Sequence, residues 1–422
     1  MGRRILVLGG GGREHALAWR LASSTSVDTV CSAPGNPGMA ELGPGFDLDP
    51  TDVHAVADRA ERSNIDLVVV GPEAPLVAGV VDELDRRGIP AFGPRAAGAR
   101  IEGSKAFAKQ VMDDAGVPTA GYVATADRAV AHSALDRFTP PYGVKADGLA
   151  AGKGVRNCAS LAEAREAVDD AIVRRRFGDA GDHLVVEEFL DGPERSVFGV
   201  CDGTDVVLLS PARDYKRIGA GDTGDNTGGM GAFAPVDGFG LGDVDGLRAD
   251  VFRPVLATLA ERGTPFRGLL YAGLVLTADG PKLLEFNARF GDPETQVILP
   301  RLASDLGDLL AASATGSVAD IEVAWHPDAV VTVVLASGGY PGPYDTGVPI
   351  DGVDVAASHP GVEVFHAGTT LRDGRLVTAG GRVLNVTARG ADVADARTRA
   401  YAAADAIGFA GLTRRPDIAT DA

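Results

Sequence analysis

The chain has 422 residues, 45% of them hydrophobic, and 40 Lys and Arg against 58 Asp and Glu, a formal net charge of −18. That acidic balance argues against sequence-independent nucleic-acid binding, which needs a surplus of cations for phosphates. No apolar run reaches the roughly 18 residues of a membrane-spanning helix, and Cys31, Cys158 and Cys201 show no metal-type spacing, so a reducing, cytoplasmic setting is expected.

The length suits about three domains. Residues 1–103 alternate strand and helix: strands Ile5–Leu8, Thr29–Ser32, Leu67–Val70 and Pro90–Phe92, and helices Arg13–Ser23, Val53–Ser63 and Val77–Gly88. This rhythm predicts α/β architecture with a doubly wound parallel sheet. Gly10, Gly11 and Gly12 lie between the first strand and its helix, where N–H groups and the helix dipole favour a phosphate. A dinucleotide fingerprint would require glycine where Glu14 stands, and an acid after the second strand, which runs instead into Pro34-Gly35-Asn36. A sugar monophosphate fits better than NAD, with plain tight-turn chemistry as the alternative. Gly71-Pro72-Glu73 follows Leu67–Val70 at a strand's carboxyl end, where open sheets bind ligands.

Residues 104–316 form a second region containing a small lid at about 118–190. It opens with a helix, Ser104–Gly116, followed by a strand, Tyr142–Lys145. From Lys145 to Val155 runs a small-residue loop with Gly148, Gly152 and Lys153. Two ammonium groups beside such a loop suit a nucleotide triphosphate, but Val155 follows Lys153-Gly154, so this is not a P-loop. A helix Leu161–Arg176, strands Val197–Val200 and Val206–Leu209, a Gly/Asp-rich loop Ile218–Gly231 and a long helix Val244–Arg262 follow. Strands Gly268–Thr277 and Pro281–Phe286 then lead to a helix from about Glu294. Glu285, Asn287 and Arg289 are spaced two apart and so share a strand face. A carboxylate and an amide oxygen there suit Mg²⁺ bridging the phosphates of ATP, with Arg289 to neutralise a phosphoryl group or hold a carboxylate. Asp292 and Glu294 flank Pro293 at a turn and read equally as helix-terminus acids. Residues 317–422 predict a mainly antiparallel β domain (Val330–Ala336, Glu363–Ala367, Thr370–Arg372, Arg382–Arg389) closed by a helix Asp392–Ile407.

The ordered set of motifs resembles the ATP-grasp ligases, and within them the phosphoribosylamine–glycine ligase family, over essentially the whole chain. It comprises Gly10-Gly11-Gly12-Arg13-Glu14-His15-Ala16, Ala33-Pro34-Gly35-Asn36, Val70-Gly71-Pro72-Glu73, Glu102-Gly103-Ser104-Lys105 and Lys145-Ala146-Asp147-Gly148. Thr227-Gly228-Gly229-Met230-Gly231, Glu285-Phe286-Asn287, Arg289-Phe290-Gly291-Asp292-Pro293-Glu294 and Phe365-His366-Ala367-Gly368-Thr369 complete it. The resemblance implies central ATP-grasp domains with a mobile lid, and an enzyme that joins glycine to 5-phosphoribosylamine through glycyl phosphate, with ATP and Mg²⁺ or Mn²⁺. It implies that Lys105 and Lys145 contact the ATP phosphates and that the loop holding Gly148, Gly152 and Lys153 closes over them. Glu187, Glu188, Phe189 and Leu190 would read the adenine edge, Glu194 the ribose, and Glu285 and Asn287 the metal. Gly10, Gly11, Gly12, Asn36, Pro72 and Glu73 would place phosphoribosylamine, with Asp292 and Glu294 as further substrate contacts. Asp214 and Arg289 would bracket glycine and, with Lys145, act in catalysis. Tyr215 departs from the pattern, where histidine is expected. A monomer or weak homodimer is expected. The rival readings are another ATP-grasp ligase or carboxylase of a purine precursor, a catalytically silent nucleotide sensor, and a nicotinamide oxidoreductase.

Overall fold

Ile5–Leu8 and Leu67–Val70 are unbroken runs of Ile, Leu and Val, the pattern of strands buried on both faces. In the computed structural model, which describes residues 2–148 and 154–422, they centre a four-stranded parallel sheet. Its order is Val27–Pro34, Arg3–Gly9, Leu67–Val70, Ala91–Phe92. Leu6, Leu8 and Val68 pack toward helix Val53–Arg62, while Ile5, Val7 and Val69 pack toward helix Gly12–Ala22. The expected helix Val77–Gly88 is instead two helices, Glu73–Ala78 and Val80–Arg86. Gly79 breaks them apart by taking φ +88°, a conformation costly for any residue with a Cβ.

The lid is a four-stranded antiparallel sheet ordered Tyr122–Thr125, Leu184–Glu188, Tyr142–Ala146, Val155–Cys158. Helices Arg128–Leu135 and Leu161–Ile172 cover one face through Ala131, Leu135, Ala164 and Val168. The second stops short of the expected Arg176, and the chain turns at Arg175 with φ +49°. Gly152 and Lys153, expected in the closing loop, lie outside the described residues.

The central sheet is antiparallel, ordered Val206–Leu208, Glu194–Asp202, Arg267–Thr277, Gly280–Asn287. Over it lies the expected helix Val244–Arg262, divided into Leu241–Leu247, a π turn Arg248–Phe252, and Arg253–Glu261. Pro254 has no N–H for the carbonyl one turn back, and the π turn absorbs that gap. The expected helix from Glu294 is one short turn, Thr295–Ile298.

The C-terminal sheet runs Arg213–Asp214, Gly231–Ala234, Ala329–Ala336, Arg382–Gly390, Val362–His366. Helix Val393–Ala404 covers it with Ala396, Ala400 and Ala403. The region expected to be a Gly/Asp-rich loop, Ile218–Gly231, runs between the first two of these strands and contains most of a hairpin, Arg217–Gly219 with Thr223–Asn226. No helix among the described residues is long and apolar enough to cross a membrane.

Candidate active site

The site is built on strand Gly280–Asn287. Strict alternation would place Leu283 and Glu285 on one face. A register shift prevents this: Gly273 faces Glu285 while Leu274 faces Leu283, so Leu284 is extra. The bulge lets Leu283 and Phe286 both enter the core and leaves Glu285 and Asn287 on the cleft side.

Four cations surround Glu285. Burial would push its carboxyl up, but Lys216, Lys145, Lys105 and Arg289 outweigh that and hold it below the usual carboxylate range. Burial pulls the Lys105 ammonium down, with Lys145 adding to the effect. For Lys145 burial also acts downward, yet Glu187 and Glu285 raise it above the ordinary lysine value. These cations come from the helix after Ser104, the lid, the C-terminal sheet edge and the segment after the central sheet, and a polyanion would compete with Glu187, Glu194 and Glu102 for three of them. Among the described residues no group of three or more Asp, Glu, His or Cys converges as a metal cage. A cation held by the Glu285 and Asn287 oxygens would complete its shell with ligand oxygens and water, the habit of Mg²⁺.

Arg289 is the hub between domains. Its Nη2 lies 2.8 Å from Glu102 and its Nε 3.6 Å from Glu73. Glu102 also accepts from Ala288 N–H at 2.8 Å. Burial raises Glu102, whereas for Glu73 burial is outweighed by Arg289 and Arg13. Asp214 is pushed up to about 7 by burial, and Glu294 and Glu194 add to this against Lys216. Lys216 pairs with Glu194 at 2.5 Å. Glu294 is buried and accepts from Tyr271 (2.8 Å) and Ser196 (3.2 Å); it stands at the N-cap position of Thr295–Ile298, but its side chain caps no helix N–H. Asp292 engages Arg382 (3.0 Å) and Gln296 (2.7 Å).

At the lid's inner edge, Glu187 is buried and pairs with Lys145 and Lys109. Glu188 accepts from Gly121 N–H and pairs with Lys282 at 3.4 Å. Phe189 is exposed and Leu190 buried. Ser104 caps helix Lys105–Asp114 by accepting from Phe107 N–H, and it donates to Asp147 beside Gly148. That ties Lys105 to the end of the strand carrying Lys145.

The N-terminal glycines are tightly packed by protein. A Cβ on Gly10 would meet Gly35 O at 2.4 Å, and one on Gly12 would meet Asn385 at 2.3 Å. Gly11 N–H is taken by Glu14 at 2.7 Å, so the helix start holds its own carboxylate. Pro72 sits against Gly9 at the start of helix Glu73–Ala78. Asn36 donates to Gly10 O and His366 O and accepts from Met39 N–H, stitching the first domain to the last. Tyr215 is buried: it donates to Asp421 at 2.5 Å and accepts from Ala419 N–H at 2.9 Å. The C-terminal segment thereby braces the strand that carries Asp214.

Sequence reasoning gave no role to Lys109, Glu102, Tyr271 or Arg382. Lys109 had a signal: it is one of few lysines and stands one helical turn after Lys105. The rest touch the site only through side chains distant in sequence.

The lid, the central antiparallel sheet and the cationic cleft between them define an ATP-grasp protein. Family models match the phosphoribosylglycinamide synthetase N domain over residues 3–102, its ATP-grasp (A) domain over 103–295, and its C domain over 330–421. The chain belongs to the phosphoribosylglycinamide synthetase family, whose members are ATP-dependent ligases. It is 51% identical over 422 residues to phosphoribosylamine–glycine ligase of Streptomyces coelicolor, covering 99% of each chain. It is 51% identical over 430 residues to that of Leifsonia xyli, covering 99% of this chain and 100% of the relative. The crystal structure of phosphoribosylamine–glycine ligase from Thermotoga maritima superposes with a TM-score of 0.84 at 34% identity, covering 99% of this chain and all of that one. A biotin carboxylase domain from Hydrogenobacter thermophilus shares the fold, with a TM-score of 0.73 at 17% identity, over 98% of this chain and 92% of that one.

Proposed function

We propose that the protein ligates glycine to 5-phospho-D-ribosylamine, giving glycinamide ribonucleotide, ADP and phosphate, in cytoplasmic de novo purine synthesis. What carries this reading is the match of the chain to the three family domains, with Lys105, Lys145, Lys216 and Arg289 all acting on the Glu285 carboxylate. In this reading residues 1–103 receive the sugar phosphate, 104–316 form the ATP-grasp region with its lid at about 118–190, and 317–422 complete the acceptor side.

Glycine carboxylate is a poor electrophile. Transfer of the γ-phosphoryl group to it makes glycyl phosphate, and the phosphoribosylamine nitrogen then attacks and releases phosphate. Catalysis is mainly positioning and charge neutralisation. Lys105 and Lys145 hold the phosphates, and enclosure of the cleft keeps water from the acyl phosphate. Backbone groups of Glu187 to Leu190 face the adenine. Glu194 takes the ribose hydroxyls once Lys216 turns toward the phosphates. Glu285 and Asn287 would hold Mg²⁺ or Mn²⁺, which would supply charge neutralisation on the phosphates. Arg289 takes the glycine carboxylate and Asp214 its ammonium. Gly10 to Gly12, Asn36, Pro72, Glu73, Asp292 and Glu294 shape the acceptor pocket, chiefly through backbone groups where side chains are already paired.

Release of ADP and phosphate is expected only when Mg-ATP, glycine and phosphoribosylamine formed in situ from ribose 5-phosphate and ammonia are all present. Nucleotide binding without glycine-dependent turnover would instead favour another ATP-grasp ligase or carboxylase.

Asp214 also sets a pH dependence. Its folded pKa of about 7 lies above the ordinary 3.8. The group's stabilising contribution is therefore complete below 3.8 and lost as pH rises through 7. Receiving an ammonium needs the ionised form, so kcat/KM for glycine is expected to rise through pH 7. Asp214→Asn should abolish that limb; a profile identical in this variant would remove Asp214 from the glycine site.

A further inference from the structure

Lys109 lies one helical turn from Lys105, is 2% exposed, and has its ammonium held by protein groups. Its ammonium sits 2.8 Å from Glu187 Oε2 and donates to Thr119 Oγ1 at 2.7 Å. Thr119 donates in turn to Leu283 O at 2.6 Å, two residues before Glu285. The other oxygen of Glu187 is paired with Lys145. One buried carboxylate thus serves two ammonium groups, one facing the cleft and one facing the core. Such an arrangement is expensive to desolvate.

The arrangement solves a problem that a single pair could not. If Glu187 had only Lys145 as partner, drawing Lys145 toward a phosphate would strand a buried carboxylate, and that penalty would be subtracted from the binding of the polyanion. With Lys109 behind it, Glu187 stays neutralised when Lys145 turns away. We propose that Lys109 is a positioning residue that releases Lys145 to the nucleotide phosphates by keeping Glu187 paired. The inference rests on the reading of Lys145 as a phosphate ligand. Its anchor through Thr119 to Leu283 also keeps this relay in register with the strand bearing Glu285 and Asn287.

The test is a double-mutant cycle on the full chain, read by calorimetric titration with a non-hydrolysable ATP analogue and magnesium. Lys109→Met is expected to weaken binding at least tenfold. Glu187→Gln alone, which leaves the backbone facing the adenine in place but strands an ammonium instead of a carboxylate, should weaken binding less than Lys109→Met does. The double variant Lys109→Met/Glu187→Gln should bind more tightly than Lys109→Met alone, by at least threefold, since no carboxylate remains to strand. A purely structural Lys109 would give additive losses and no recovery, and that result overturns the proposal, as does unchanged affinity in Lys109→Met. Lys109→Gln, a milder change, repeats the cycle should the methionine variant fold poorly, with the same two outcomes deciding. Wild-type protein that binds no nucleotide at all would sink the functional reading itself, a failure distinct from either outcome of the cycle.

Discussion

Replacing Glu285 by glutamine is expected to lower kcat about 100- to 1,000-fold, the scale for losing one preorganised charge contact in a transition state. The glutamine keeps the shape and one oxygen of Glu285 but withdraws the anion at the centre of four cations. Two consequences should separate this effect from simple damage. The magnesium concentration needed for half-maximal rate should rise, because the hard anionic donor is gone. The ligand-free variant should also melt lower, since Lys105, Lys145, Lys216 and Arg289 then face one another, and the loss should shrink when ATP supplies the missing negative charge. Steady-state kinetics against magnesium, with melting curves in both states, reads all three. A variant retaining a tenth of the wild-type rate would remove Glu285 from the metal and phosphate site.

Arg289→Met is expected to cost both folding and turnover. Its guanidinium stands between Glu102, whose side chain is 7% exposed, and Glu73. Removing one member of a buried ion pair typically costs about 3–5 kcal/mol, because the partner charge is left in a poor dielectric. Glu102 is already raised by burial, so it should take up a proton in the variant. A carboxyl with a raised folded pKa stabilises below its unfolded value and loses that contribution as pH rises through the folded one. The variant should therefore melt progressively lower toward alkaline pH. Adding Glu102→Gln should restore most of the melting temperature yet leave turnover down about 100-fold or more. Recovery of both by the double variant would make Arg289 a structural hub with no part in the chemistry.

Much of the fold is readable along the chain because its signals are local. Continuous Ile, Leu and Val runs separated by helix-spaced segments specify the first parallel sheet. Ser104 announces the helix that begins at Lys105, and its hydroxyl caps it. Glu285 and Asn287 share a face at the interval of two. Where expectations strayed, a neighbour distant in sequence intervened. Gly79 splits one helix where the chain must turn, and Glu14 occupies an N–H that a glycine-rich helix start would otherwise offer a ligand. Ile218–Gly231, rich in glycine and charge, reads as a loop, yet it holds a hairpin and is flanked by the strands Arg213–Asp214 and Gly231–Ala234. Gly231–Ala234 becomes a strand because the open edge of Ala329–Ala336 supplies the hydrogen bonds its own sequence does not demand, and Arg213–Asp214 adds to it in turn.

By itself, then, the sequence determined the architecture, the family and the residue types of the site, since periodicity, turn chemistry and ordered motifs depend on near neighbours. Only the tertiary structure decided how those residues are charged and held. The bulge at Leu284 aims Glu285 at the cleft, Glu102 and Glu73 grip Arg289, the C-terminal segment braces Tyr215, and Lys109 shares Glu187 with Lys145. Each of these is a contact between elements far apart in the chain, and its strength depends on burial, which exists only once the domains have closed around it.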